Sequence, residues 1–223
     1  MTCARFLPLL GVLACAAPLH TLPPPTAGAA PVDAAALAAE AREAVRQVEH
    51  APSADARQAG IDKAVDAGQR CEQVAPASPA CDYALALALG VQARERPSTA
   101  TRGLPLMVEL LRRARANDPR QDQGGPARVL ALLLLRAPGW PLGPGDPEAG
   151  LKAAQEAVGL FPDYAPNQLA LSEALLVSGD EASSKEAAGR GLELAGAAVG
   201  TGVPDADRWF RDAKQLLAGK IPR

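Results

Sequence analysis

The chain has 223 residues, a length typical of one domain or of a small pair. It carries 23 Lys and Arg against 25 Asp and Glu, and this net charge of −2 provides no basic field to hold nucleic acid. A hydrophobic fraction of 48% supplies a core and excludes wholesale disorder. Aromatic residues make up only 3%, whereas the helix formers Ala and Leu are abundant, so the composition predicts an all-α protein.

The N-terminal segment has the pattern of a bacterial export signal. Arg5 precedes an apolar stretch of nine residues, which is too short to cross a bilayer as a helix. The stretch ends in Val-Leu-Ala-Cys, which resembles a lipobox, in which the cysteine is acylated and becomes the new N-terminus. We therefore predict a lipoprotein signal peptide over residues 1–14 and acyl chains on Cys15, which anchor more firmly together than singly. The alternative is an ordinary signal cleaved near Ala16, which gives a soluble secreted protein.

Residues 15–32 are predicted to form the lipidated cysteine and a tether. The stretch after Cys15 is rich in Pro and Ala and has neither helical nor strand periodicity. Its 17 residues extend to roughly 50 Å at about 3.1 Å per residue. No Asp follows the cysteine, so by resemblance to the sorting of other lipoproteins we expect lipid anchoring at the outer membrane, facing the periplasm. Residues 33–223 form the predicted domain.

The domain contains two cysteines, Cys71 and Cys81. An exported chain meets an oxidising compartment, so a disulfide is favoured over the alternative of two free thiols. A metal site would need further ligands, and no His lies between or near the two cysteines. We therefore predict a Cys71–Cys81 disulfide.

From Asp33 onward the apolar spacing is helical, and the helix breaks recur at a fixed interval. Pro76, Pro119 and Pro162 follow one another at intervals of 43 residues. At this offset small and large apolar residues align, as helix–helix contacts require. The aligned sets are Val65, Val108 and Leu151; Cys71, Ala114 and Ala157; Ala84, Ala127 and Ala170; Ala88, Ala131 and Ala174; Leu89, Leu132 and Leu175. The pattern predicts an all-α solenoid of about four helix-turn-helix repeats with a period of about 43, similar to tetratricopeptide (TPR) repeats.

The last segment of the chain is predicted to cap this array. Pro204 and two following aspartates favour a helix start, and the segment runs on to Leu217. Its apolar residues Trp209, Ala213 and Leu216 fall on one face. We expect a C-terminal capping helix in which Trp209 is a packing residue rather than a ligand contact.

Four residues stand out as candidates for ligand or partner binding, and each has a structural alternative. Trp140 lies in a loop with four prolines and three glycines, either as a lip over a cleft or, as we favour, as a plug between helices. Arg128 lies on a helix that is apolar nearly all round, where an ion pair is favoured over a clamp for a ligand carboxylate. Asn167 is expected to bond local backbone, and Tyr83 is expected in the core rather than lining a cavity.

Between Asp118 and Glu173 the sequence resembles a known family. The match is carried by Gly124-Gly125-Pro126, Arg128-Val129-Leu130, Ala137-Pro138-Gly139, the Pro/Gly loop to Asp146-Pro147, and the segment from Pro162 to Pro166-Asn167. These resemble the TatT-like lipoproteins, the T component found with some TRAP-type transporters. The resemblance covers roughly residues 33–200. It implies a periplasmic protein with TPR-like helical repeats, a cavity suited to apolar ligands, and assembly with a substrate-binding P component.

The sequence contains no motif for catalysis. Gly219-Lys220 lacks the other glycines of a phosphate loop, and His50 is the only histidine in the domain. We expect no enzyme activity, no cofactor, no metal and no nucleic-acid partner, while self-association into a homo-oligomer is left open. The first hypothesis is a transport accessory that binds an apolar or carboxylate-bearing ligand in a closed cavity lined by residues 84–90 and 127–135. The alternative is a TPR-like protein–protein interaction scaffold of the cell envelope with an open groove.

Overall fold

A computed structural model describes residues 33–222 of the chain. Within that range the chain forms helices and no strand. In chain order they are α1 (Ala34–Glu49), α2 (Ala54–Val74), α3 (Pro79–Glu95), a 3-10 turn (Pro97–Thr99), α4 (Ala100–Asn117), α5 (Gly125–Arg136), α6 (Pro147–Leu160), α7 (Ala165–Val177), α8 (Glu181–Ala198) and α9 (Ala206–Leu217). The predicted signal peptide over residues 1–14, the lipid on Cys15 and the tether through residue 32 lie outside the described residues.

The helices begin where capping residues satisfy free backbone N–H groups. The Asp33 carboxylate accepts a hydrogen bond from the N–H of Ala35 at the start of α1, and the Ser53 hydroxyl oxygen accepts one from Ala56 at the start of α2. Asp146 and Asp180 cap α6 and α8 in the same way. Local side-chain chemistry therefore sets the start of four helices.

Each helix packs mainly against its neighbours in sequence. The pairs α1–α2, α3–α4, α5–α6 and α7–α8 form successive antiparallel hairpins, and α9 packs against α8 and α7. Contacts between α1 and α3, α5 and α7, and α7 and α9 join one hairpin to the next. The prediction of an all-α helical repeat array is confirmed.

The 43-residue period is also visible in the backbone. Three residues 43 apart, Ala75, Asp118 and Phe161, end the second helix of three successive hairpins with nearly the same φ and ψ angles. The N–H of each donates to the carbonyl four residues earlier, on Cys71, Ala114 and Ala157, at 2.9, 2.8 and 3.0 Å. The small residues that align at this offset are fully buried, which lets the helices approach closely: Cys71, Ala114, Ala157, Ala84, Ala127, Ala170, Ala88, Ala131 and Ala174.

The largest core cluster lies in the middle of the array, between α3, α4, α5 and α6. Leu130, Leu133 and Leu134 of α5 are buried in it, as expected of a helix that is apolar nearly all round.

The end of α1, the first helix, meets the start of α9, the last. The Arg208 guanidinium lies 3.8 Å from the Glu49 carboxylate, and His50 lies 3.9 Å from Asp205.

No helix within residues 33–222 is both long and apolar enough to span a bilayer.

The predicted disulfide is present. The sulfurs of Cys71 and Cys81 are 2.02 Å apart and join the end of α2 to the start of α3 across a Cα separation of 5.3 Å. Both cysteines are buried in a cluster with Leu37 and Ala41 of α1. The covalent link therefore fixes the turn between the first two hairpins.

Replacing both cysteines with Ala is expected to lower the free energy of unfolding by about 2–3 kcal/mol. The closed loop is short, with a sequence separation of 10, so the loss of chain-entropy restriction is moderate. Urea unfolding followed by circular dichroism measures it. A reductant serves as the control, because it should weaken the parent chain by a similar amount and leave the double variant unchanged. Equal midpoints for the parent with and without reductant contradict the prediction.

Candidate functional site

Three of the four predicted candidate residues, Tyr83, Arg128 and Asn167, meet around Asp122. This set is called the Arg128 network. The Arg128 guanidinium donates to the Asp122 carboxylate at 2.9 Å and to the Asn167 side-chain oxygen at 3.0 Å. The Tyr83 hydroxyl donates to the same Asp122 carboxylate at 2.6 Å. The network joins α3, α5 and α7 to the loop before α5, and the predicted ion pair of Arg128 is present.

Asn167 is fully buried at the start of α7. Its side-chain nitrogen lies within hydrogen-bond distance of three carbonyl oxygens, those of Gln123, Ala157 and Phe161, at 3.0 to 3.1 Å. Two of these carbonyls lie at the end of α6, and each also accepts a backbone N–H, so Asn167 supplies their second hydrogen bond. Asn167 therefore satisfies backbone groups as predicted, although one of its partners lies 44 residues away in sequence.

The backbone before α5 adopts an unusual conformation that allows these side chains to meet. Asp122, Gln123 and Gly124 have φ angles of 48°, 54° and 80°, in the left-handed region that few residues adopt. A Cβ atom on Gly125 would overlap the Tyr83 hydroxyl, so only glycine fits there. Burial raises the pKa of Tyr83, which keeps its hydroxyl protonated as a donor. Tyr83 is thus a core residue, the alternative that the sequence favours.

A cavity of about 200 Å³ lies between α5, α7 and α9, and it is called the α9 groove. Its apolar lining includes Leu132 of α5, Leu169 and Ala170 of α7, and Trp209 and Leu216 of α9. Its charged lining consists of Arg128 and Arg136 of α5, Glu173 of α7, and Arg208 and Asp212 of α9. Arg128 belongs to both the network and the groove. Ligand binding by Arg128 stays a prediction.

The three guanidinium groups of the groove differ in how tightly they are held. Arg136 makes two bonds to Glu173, from Nε to Oε1 at 2.7 Å and from Nη2 to Oε2 at 2.6 Å. Arg128 is fixed by its network. Arg208 has only long ion pairs, at 3.8 Å to Glu49 and 3.6 Å to Asp205, and its side chain is about half exposed. Arg208 is therefore the cation that a bound anion could engage with the least disruption.

Two carboxylates share the groove with these cations. Glu173 is almost fully buried and bonded to Arg136. Burial raises the pKa of Asp212 above its ordinary value, although the guanidinium groups of Arg208, Arg211 and Arg136 act in the opposite direction. The groove thus combines an apolar wall with a mixed but predominantly cationic set of side chains.

The charged groups of the groove depart from the 43-residue repeat. Position 128 is Arg where the flanking repeats have Leu85 and Leu171, and Glu173 corresponds to Leu130. Arg136 likewise corresponds to Ala93. Sequence reasoning missed Asp122, Arg136, Glu173, Arg208 and Asp212. A comparison of equivalent repeat positions could have found Arg136 and Glu173, because a charge replaces an apolar residue there.

Trp140, the fourth candidate, does not lie in a groove between helices. Its side chain is 90% exposed, so the prediction that it fills a groove between helices is wrong. The loop that carries it, residues 137–146, links α5 to α6 and also exposes Leu142. Prolines at four of the positions from 138 to 147 restrict the loop, and in the conformation that it adopts Trp140 does not contact the helices closely enough to be covered.

The cavity also differs from the one expected. The Leu and Ala side chains of residues 84–90 and 127–135 pack chiefly against each other and against α4 and α6 in the core, rather than around a closed cavity. Of the two segments, only Arg128 and Leu132, both from residues 127–135, line the α9 groove. Trp209 packs edge-on against Tyr164, with ring centroids 5.6 Å apart, while one side of it faces the groove.

The described part of the chain holds no cluster of three or more His, Cys, Asp or Glu residues able to bind a metal. Its most distinctive constellation is the α9 groove, where arginines, apolar side chains and an aromatic ring converge, as is typical of sites for small ligands. No known family model and no curated protein matches the sequence.

Proposed function

We propose that the protein is a non-catalytic, periplasm-facing lipoprotein that serves as the accessory component of a TRAP-type transport system, as the TatT-like resemblance implies. In this proposal the α9 groove binds a small ligand that combines a carboxylate with an apolar part. The observation that carries the ligand class is the convergence of Arg128, Arg136 and Arg208 beside an apolar wall. A substrate-binding P component is the proposed protein partner.

The proposed mode of binding follows from how the groove is lined. The apolar part of the ligand lies against Leu132, Leu169 and Leu216, which removes the apolar surface of the ligand from water, since Leu169 and Leu216 are already buried. The carboxylate accepts a charge-assisted hydrogen bond from Arg208, since Arg128 and Arg136 are already held by Asp122 and Glu173. The modest cavity of about 200 Å³ suits a short aliphatic acid.

Native mass spectrometry of the purified protein, compared with a denatured sample, tests whether a ligand is retained. A reproducible small mass that is lost on denaturation supports the proposal and identifies the ligand class. Calorimetry with hexanoate and with hexanol then tests the chemistry of recognition. Hexanol is expected to bind at least about tenfold more weakly, because it cannot accept a charge-assisted bond. No retained mass and equal, negligible binding of both probes favour the alternative, a scaffold for protein partners.

Arg208→Ala is expected to weaken hexanoate binding by roughly 10- to 100-fold, the usual effect of losing a hydrogen bond to a charged group. Stability should change little, because the ion pairs of Arg208 are long and exposed. Arg211→Ala is the matched control, since Arg211 is an exposed arginine of α9 that does not line the groove. Equal losses in the two variants mean that general surface charge, and not the groove, attracts the probe.

Asp212→Asn is expected to strengthen anion binding about fivefold at neutral pH, because it removes a like charge from the groove. In the parent chain, burial raises the pKa of Asp212, so its charge is lost at a higher pH than that of an ordinary aspartate. As the pH falls, affinity should therefore begin to rise at a higher pH than the titration of an ordinary aspartate would give. Hexanesulfonate is the probe, because it stays ionised throughout. A ligand that also carries an ammonium group gives the opposite result, weaker binding by the Asn variant.

A further inference from the structure

The loop at residues 137–146, called the Trp140 loop, presents an apolar tip that the α9 groove does not use. Trp140 and Leu142 are 90% and 81% exposed, more than any other large apolar side chain of the described residues. No charged residue occurs from Ala137 to Gly145. Such a tip is exposed to water at a free-energy cost, which indicates that another phase or molecule covers it.

The loop holds this tip in one conformation. The N–H groups of Leu142 and Gly143 donate to the carbonyl of Gly139 at 3.0 and 3.2 Å, and Gly145 donates to Pro138 at 2.8 Å. The Asp146 N–H reaches back to Leu134 of α5 at 2.9 Å. A Cβ atom on Gly145 would overlap the Ala137 carbonyl, so the two ends of the loop approach as closely as glycine allows. Little ordering entropy is therefore lost when the tip is covered.

The same bonds make the loop inexpensive to move out of water. Apolar media penalise backbone N–H groups that lack a partner. Of the ten residues from 138 to 147, four are prolines, which have no N–H, and four more donate within the protein. The tip therefore combines apolar side chains with few unpaired backbone donors, which is the combination that the boundary of a bilayer requires.

We infer that the Trp140 loop inserts into the interfacial region of the lipid bilayer, with Trp140 at the level of the headgroups and Leu142 beside it. Trp is enriched at this level because its ring is apolar while its N–H can reach water. A stable protein interface buries about 800 Å² on each partner, which two side chains on a narrow loop do not supply. Insertion into lipid needs no complementary surface, so the geometry favours a bilayer over a protein.

The inference fits the proposed lipid anchor without depending on it. The proposed acyl chains on Cys15 would keep the protein at a bilayer, which is the setting that insertion of the loop requires. Arg136 lines the α9 groove and directly precedes the loop, so insertion would hold the groove close to the membrane surface.

Fluorescence quenching tests the insertion. The chain has two tryptophans, so Trp209→Phe leaves Trp140 as the sole reporter, and Trp140→Phe leaves Trp209 as the matched control. Each full chain is mixed with vesicles of phosphatidylethanolamine and phosphatidylglycerol that carry bromine on their acyl chains. We expect Trp140 emission to shift to shorter wavelength and to be quenched by the bromine, whereas Trp209 emission stays unchanged.

A second variant measures the strength of insertion apart from the anchor. In the full chain with Cys15→Ala, which lacks the acylation site, Leu142→Asp should weaken partitioning into the same vesicles roughly tenfold or more. If the Cys15→Ala chain is found in the same cell fraction as the parent, the proposed lipid anchor is contradicted. Quenching of Trp140 still tests insertion of the loop independently of that result. Trp140 that stays accessible to acrylamide on vesicle-bound protein overturns the inference. Trp140 that is shielded only by an added protein also overturns it, in favour of a protein interface.

Discussion

Arg136→Met is expected to lower the free energy of unfolding by about 2–3 kcal/mol. The Glu173 carboxylate is almost fully buried, and Arg136 supplies its two hydrogen bonds at 2.7 and 2.6 Å. Methionine keeps the aliphatic stem of the side chain but leaves the carboxylate without a partner. The remaining buried carboxylate keeps its cost of desolvation, while water at the half-exposed site of Arg136 offsets part of the loss. Urea unfolding followed by circular dichroism measures the loss.

The double variant Arg136→Met with Glu173→Leu separates this cause from a loss of packing. Leu130 occupies the equivalent position one repeat earlier, so the fold already accommodates leucine there. Replacing both members of a buried pair by apolar residues is often neutral, so the double variant should recover most of the stability. A double variant as unstable as the single one means that packing of the Arg136 stem, and not the unpaired carboxylate, carries the effect.

If the double variant recovers stability, the retention of a charged pair in the native chain requires another explanation. Both residues line the α9 groove, so under the proposed function this ion pair, at repeat positions otherwise held by Leu130 and Ala93, takes part in recognition. The pair carries no net charge, so weaker hexanoate binding by the folded double variant would mean that the Arg136 guanidinium itself contacts the carboxylate. Calorimetry on this folded variant separates stability from binding.

The helical framework was predictable from the sequence because its signals are local. The prolines after Cys71, Ala114 and Ala157 stop helices by chemistry that needs no distant partner, and Asp33 and Ser53 start helices in the same way. Because the helix breaks recur every 43 residues, the prediction for one hairpin also applies to the others. Every helix end that such a residue marks agrees with the structure within a few residues.

The partners of the charged residues were not predictable, because they depend on how distant helices cross. Arg136 and Glu173 are 37 residues apart, and each alone resembles a solvated helix position. The prediction that Trp140 fills a groove between helices was wrong for a different reason. Burial is the usual fate of tryptophan, but here stiff backbone around it outweighs the gain from covering the ring.

Asn167→Ala is expected to lower the free energy of unfolding by about 3 kcal/mol. It removes a second hydrogen bond from the carbonyls of Ala157 and Phe161, each of which also accepts a backbone N–H, and one bond from Arg128, and each bond contributes about 1 kcal/mol. Gln168→Ala is the matched control on the same helix. That residue is buried but makes one backbone bond, to Pro162 at 2.7 Å, so its loss should be about 1 kcal/mol.

The comparison shows whether the Arg128 network or simple burial stabilises the junction of α5, α6 and α7. Equal losses for the two variants would mean that burial alone matters and that the carbonyls at the end of α6 find water when Asn167 is removed. A larger loss for Asn167→Ala, accompanied by weaker hexanoate binding, is the expected result, because freeing Arg128 alters the groove that it lines. The same amide then closes the end of one repeat and holds in place an arginine of the proposed site.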